Sequence, residues 1–218
     1  MPLLERKKAS TLSFEYGERG GEVLYNRFTI YPVPSTPEAL EQVGTKYKFW
    51  YVDENGLDTL FKAGRSGTGE NWAELICVEV CEQLGLPHAK YYLATYEEMD
   101  GVISPKFTPP NSRLVLGNET LERIHDAYDA TQRFRQSNHT VRIVIALLSN
   151  RSFSFPEGFE LDARLTCVAD LFLGYLLLDA IVGNTDRHHE NWGFINHQDG
   201  RVIFFIPHET PKICLQKE

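Results

Sequence analysis

The segment Gly183-Asn184-Thr185-Asp186-Arg187-His188-His189-Glu190-Asn191-Trp192-Gly193 concentrates polar groups where the chain leaves a long apolar run. Asp186 and Asn191 are spaced D-x-x-x-x-N. A carboxylate at the first position could position and deprotonate a substrate hydroxyl. An amide oxygen at the last could hold magnesium on phosphates. A short loop fixed on a buried helix would present both on one side of a cleft. The same spacing also fits an ordinary polar turn, because Asp and Asn are common loop residues.

Other residues extend the first reading. Lys62 closes a strand-like run, and Glu74 lies on the helix that follows. In kinases a strand lysine neutralises nucleotide phosphates and is oriented by a helix glutamate. The plainer alternatives are a solubilising edge-strand lysine and an exposed helix glutamate. Gly44-Thr45-Lys46 could offer backbone N–H groups to phosphate, but it lacks the first glycine and the spacing of a P-loop.

These residues need elements to hold them. Residues 22 to 33 are strand-like, and Pro34-Ser35-Thr36-Pro37 breaks the pattern. Tyr47 to Val52 and Thr59 to Lys62, joined through Asp53-Glu54-Asn55-Gly56, give a hairpin signal. Gly64 to Gly69 is a loop. Apolar spacing at Ala73, Cys77, Val80, Cys81 and Leu84 predicts a helix from about Asn71, stopped by Gly85-Leu86-Pro87. Tyr91 to Tyr96 and Val102 to Ser104 predict strands. From about Leu114 the pattern turns to helix and loop, with helices expected at 120–134, 141–148 and 161–182, and Arg201 to Phe205 as a late strand. The shift predicts a mixed α/β lobe, then an α-rich lobe, with a boundary near residues 108–112.

Composition narrows the classes. With 42% hydrophobic and 24% charged residues in 218, the chain is ordinary globular material, and one two-lobed domain is the natural expectation. A net charge of −8 and no basic stripe speak against a primary nucleic-acid role. No secretory leader is expected from the first residues. The run Val168 to Val182 is shorter than a bilayer span and carries Asp170 and Asp179, so a buried helix is expected and no membrane partner. Four cysteines without a CxxC pair predict free thiols and a cytoplasmic location.

Four blocks carry a more specific signal: Leu60-Phe61-Lys62; Gly67-Thr68-Gly69-Glu70-Asn71-Trp72-Ala73-Glu74; Leu84-Gly85-Leu86-Pro87-His88-Ala89; and Leu178 through Gly193. In this order they resemble HipA-like bacterial serine/threonine kinases, the family containing persistence toxins that phosphorylate aminoacyl-tRNA synthetases. The resemblance spans about residues 44–196. It implies an α+β, bilobal, protein-kinase-like fold, with a nucleotide-binding lobe at 1–110 and a helical lobe carrying the catalytic loop at 111–218. It implies ATP and Mg2+, with Asp186 as catalytic base and Asn191 as a magnesium ligand. Lys62 would contact ATP phosphates, Glu74 would orient Lys62, and Gly44 and Thr45 would sit in the phosphate-covering loop. His188 would brace the catalytic loop. The implied partners are a protein substrate, translation-related in the family, and an antitoxin.

One departure follows. In the family a metal-binding aspartate comes after the next strand, whereas here no Asp lies beyond Asp199, and Glu209 is the nearest carboxylate. The expectation is therefore a chain that stops short, with apolar faces such as Val168 to Val182 partly exposed and transfer impaired. Four other readings compete. One is a truncated, inactive module that binds nucleotide or a partner. Zinc held by some of His188, His189, Glu190, His197, His208 and Cys214 is a second, weakened by adjacent histidines pointing apart. A nuclease or phosphatase using Asp179, Asp186 and Glu190 is a third, although Asp179 on an apolar helix is expected to bond locally. A lipid kinase with a similar Asp-x-His-x-x-Asn element is the fourth.

Overall fold

The computed structural model describes residues 29–34, 39–40, 47–65, 67–132, 136–158 and 160–206. Gly44 and Thr45 lie outside the described residues, as do His208, Glu209, Cys214 and most of the strand expected at 22–33.

The hairpin forms as its sequence predicts. Strands β1 (Tyr31–Pro32) and β2 (Ala39–Leu40) precede β3 (Lys48–Val52), which pairs antiparallel with β4 (Asp58–Ala63). Residues 53–57 connect them. There Asp53 Oδ1 accepts the N–H groups of Asn55 and Leu57, each at 2.9 Å, and Gly56 takes φ 76°, a conformation that L side chains resist. Phe49 lies opposite Phe61 in the register, and both are fully buried. Their rings, with Tyr96, form an aromatic cluster with centroids 4.7–5.7 Å apart.

Helix α1 (Glu70–Leu84) crosses next. It ends in Gly85 at φ 66°, with the N–H of Leu86 on Cys81 O and that of Gly85 on Glu82 O, which satisfies two terminal carbonyls. Strands β5 (Tyr92–Tyr96) and β6 (Met99–Pro105) complete a sheet ordered β1-β5-β6-β4-β3-β2, antiparallel except at the β1–β5 pair. Leu75 and Val78 of α1 pack on Val102 of β6.

The second half holds more sheet than its sequence pattern suggests. Strand β7 (Ser112–Leu116), helix α2 (Gly117–Ile124), helix α3 (Val141–Leu148), strand β8 (Phe153–Ser154), helix α4 (Val168–Val182), and strands β9 (Gly193–His197) and β10 (Val202–Phe205) follow. The four strands form a sheet ordered β7-β9-β10-β8. Phe194 and Phe204 on its face meet Phe172, Tyr175 and Leu178 of α4, together with Trp192, Leu121 and Leu148. The described fold is therefore α+β, with two mixed sheets and four helices among the described residues.

Two expected helices are shorter than the pattern predicts. α2 stops at Ile124 instead of 134: His125 takes an extended conformation at φ −140° and ψ 100°, and farther on Asp129 Oδ1 binds both the N–H and hydroxyl of Thr131 in a local turn. α4 starts at Val168 instead of 161. Asp170 accepts from Thr166 N at 2.7 Å and Cys167 N at 3.3 Å, capping the helix there. Hydrogen bonding to Thr166 and Cys167 also holds the Asp170 carboxyl below its usual range.

Tyr175 O–H donates to Pro87 O, and Gly174 sits against Leu86, which ties α4 to the turn after α1. Leu173, Leu177 and Ile181, one per helical turn on the far side of α4, are about half exposed. None of the helices is long and apolar enough to cross a membrane among the described residues.

Candidate functional site

Lys62 projects from β4 on the face opposite Phe61. It lies across from Val102 in the register, and Val102 packs under α1, so Lys62 faces that helix. Glu74 sits one turn into α1 on its inward side. Lys62 Nζ lies 2.9 Å from Glu74 Oε1, with the side chains 13% and 4% exposed. A pair this sheltered is held by geometry and cannot be a loose surface contact.

The second group grows from the end of α4. Gly183 turns the chain at φ 68°, and the N–H of Asn184 returns to Asp179 O at 2.8 Å. Asp179 is 7% exposed and receives three donors: Arg187 Nε at 2.7 Å, Arg187 Nη2 at 2.6 Å and Asn184 Nδ2 at 2.8 Å. The third guanidinium nitrogen, Arg187 Nη1, donates to Asn191 O at 2.9 Å. Asn184 Oδ1 accepts the N–H of Asp186 at 3.1 Å.

Within the loop, His188 N donates to Asp186 O and Asn191 N to His188 O, each at 3.0 Å. Asn191 Nδ2 donates to Asp186 O. The Glu190 N–H reaches His188 Nδ1 at 3.2 Å, so this ring nitrogen acts as acceptor. Asn191 is 5% exposed, and its Oδ1 is buried with no hydrogen-bond partner among the described residues. A buried amide oxygen without a donor carries a desolvation cost that a bound cation would remove.

The loop also rests on the segment between α2 and α3. His189 Nδ1 and Tyr128 Oη lie 2.6 Å apart, and Trp192 Nε1 donates to His139 Nε2 at 3.1 Å. The His139 imidazole is pushed down to about 4, by burial first and then by His189 and His188. Gly117 N donates to Trp192 O at 2.8 Å, and a Cβ at Gly117 would collide with the Trp192 ring.

Cys77 and Cys81 lie on the buried face of α1. The Cys77 thiol is pushed up to about 12 by burial, and by the carboxylates of Glu74 and Asp179 in turn, against the opposing pull of Arg187. Its thiolate is therefore disfavoured at neutral pH, and the cysteine acts as a small apolar side chain.

Lys62 and Glu74 thus meet, and Asp186, His188 and Asn191 share one hydrogen-bonded loop. Arg187, Asn184, Tyr128 and His139 are added by the structure. The legible signal for Arg187 was Asp179 itself, since a charge in an apolar helix requires a partner. Both Asp179 oxygens are occupied by Arg187 and Asn184, which leaves the carboxylate ill suited to a metal in the nuclease reading. His188 and His189 stand at 83° to each other with different partners, and no group of three or more His, Cys, Asp or Glu side chains could hold a metal ion among the described residues.

No protein-family model matches the chain, and no curated protein matches it by sequence. Solved structures do resemble it. One is the Helicobacter pylori proinflammatory kinase CtkA, at TM-score 0.54 and 19% identity, covering 80% of this chain and 57% of CtkA. Another is HipA of a Shewanella oneidensis MR-1 toxin–antitoxin system, in complex with HipB and its operator DNA. It matches at TM-score 0.51 and 12% identity, covering 81% of this chain and 44% of that one. At these identities the likeness is one of fold, and the chain spans about half the length of these neighbours.

Proposed function

We propose that this chain carries the nucleotide-binding and phosphoryl-transfer centre of a HipA-like serine/threonine protein kinase. The sheltered Lys62–Glu74 ion pair, joining a sheet strand to the helix behind it in a fold similar to a kinase's, carries the reading. Lys62 neutralises the ATP phosphates and Glu74 fixes its direction. Gly44 and Thr45, outside the described residues, contribute backbone N–H groups to the same phosphates.

Asp186 accepts the proton of a protein hydroxyl as that oxygen bonds to the γ-phosphorus and the β–γ bridging bond breaks, releasing ADP. His188 braces the loop, its Nδ1 held by the Glu190 N–H. Asn191 Oδ1, buried and without a hydrogen-bond partner among the described residues, is the fitting protein ligand for Mg2+, which when bound would supply positive charge to the ATP phosphates. The kinase reading brings with it a bilobal arrangement divided near residue 110, a cytoplasmic setting and a protein substrate. An antitoxin partner is drawn from the HipA neighbour, which is seen with HipB.

A second reading, nucleotide or partner binding without transfer, rests on a separate observation. The only acidic residue between Asn191 and Ile206 is Asp199, and its carboxylate is bound to Arg201 at 2.7 Å. One neutral oxygen holds a hard, hydrated cation weakly. Calorimetry with a non-hydrolysable ATP analogue, with and without Mg2+, together with a radiolabelled-ATP transfer assay, separates the readings. Magnesium-strengthened binding with label transfer supports the kinase. Magnesium-independent binding without transfer supports the binding module, and no binding removes both nucleotide readings.

A further inference from the structure

We infer that Asp179 is the positioning residue for both ends of the Asp186–Asn191 loop, acting through Asn184 on one end and Arg187 on the other. Its part in nucleotide chemistry rests on the kinase reading above; its part in loop geometry does not.

The connectivity is short and complete. Asp179 Oδ1 receives Asn184 Nδ2, and Asn184 Oδ1 receives the N–H of Asp186, which fixes the backbone at the proposed base. Asp179 Oδ2 and Oδ1 receive Arg187 Nε and Nη2 as a fork, and the same guanidinium donates Nη1 to the carbonyl of Asn191, which fixes the backbone at the proposed magnesium ligand. One buried carboxylate on the last turn of α4 therefore sets where two functional side chains begin. Forked arginine–carboxylate pairs define direction as well as distance, so the Asn191 carbonyl inherits the orientation of α4.

The alternative is that Asp179 only neutralises Arg187 and stabilises the fold generally. A general role would loosen the whole core when the carboxylate is lost. A positioning role would loosen residues 184–191 while α1 and the second sheet stay closed, because local openings draw on local contacts.

The test uses the full chain with Asp179→Asn and, as a variant that keeps a buried cation beside Asp179, Arg187→Lys. Amide hydrogen exchange is followed at Asn184, Asp186, His188 and Asn191, whose N–H groups are bonded in the structure, with the paired strands β9 and β10 of the second sheet as the internal reference. Exchange at least about tenfold faster in the loop, with the reference changed by less than about twofold in either variant, supports the inference. Equal acceleration in loop and reference in both variants assigns Asp179 a general structural role, and unchanged loop exchange in both removes it as an anchor; either result overturns the inference. ATP-analogue binding to the same variants adds the functional arm. Loss of the magnesium-dependent gain, with magnesium-free affinity kept within about twofold, is expected if Asn191 is displaced. If the wild-type chain shows no such gain, the kinase reading fails while the exchange result still decides the positioning role.

Discussion

The Lys62 ammonium and the Glu74 carboxylate lie 2.9 Å apart, between a central strand and the helix that covers it, with little solvent around either. Removing one partner leaves the other charge poorly compensated. Lys62→Met and Glu74→Leu are each expected to cost about 3 kcal/mol in urea unfolding, and the double variant to recover at least half of that. A double variant no more stable than the singles would show that the two charges are not coupled. Lys62→Met is also expected to lower ATP-analogue affinity by about tenfold or more, since a phosphate counter-charge is lost.

Asp186→Asn keeps the size of the side chain and removes the proton acceptor. Transfer of label from ATP is expected to fall by about 100-fold or more, while analogue binding changes by less than about threefold. Transfer at the wild-type rate would take Asp186 out of the base role.

Asn191→Ala deletes the buried oxygen that has no hydrogen-bond partner among the described residues. Analogue binding without magnesium is expected to hold, and the strengthening by magnesium to vanish, a loss of about tenfold. A magnesium titration that is superimposable on the wild type would remove Asn191 as a ligand.

His139 gives a pH signature. The folded imidazole titrates near 4, below the ordinary 6.5, so between these values the unfolded chain binds a proton that the folded chain refuses. Stability from this group is complete above about pH 7 and is lost as pH falls from about 6.5 toward 4. Protonation also removes the acceptor for the Trp192 indole N–H. His139→Gln retains an acceptor but does not titrate. Its urea midpoint is expected to fall less than the wild type's between pH 7.5 and 5, and parallel lines for the two proteins would contradict the assignment.

Much of the scaffold was legible because it is local. The hairpin register follows from alternating aromatics flanking Asp53 to Gly56, and α3 at Val141–Leu148 matches its apolar period to the residue. Helix ends were less legible. Asp170 decides the start of α4 by bonding backbone N–H groups, and propensity does not weigh such bonds against helical pairing. β7 and β9 escaped notice because each is five residues long and has meaning only when paired with the other across some 80 positions of chain.

For the site, the sequence by itself determined the residue types and their spacing: a strand lysine, a helix glutamate one turn from the helix start, and Asp and Asn five apart after an apolar helix. Helical and strand periods set which way those side chains leave the backbone, so the Lys62–Glu74 pair could be anticipated. Only the tertiary structure decided that Asp179 turns toward Arg187 and Asn184, that Asn191 keeps a buried oxygen without a donor, and that Tyr128 and His139 come up beneath the loop. These choices join Asp179 to partners five and eight positions away, and Trp192 and His189 to partners 53 and 61 positions away. They are settled by which buried polar groups can satisfy one another once the core has closed, and no local pattern encodes that competition.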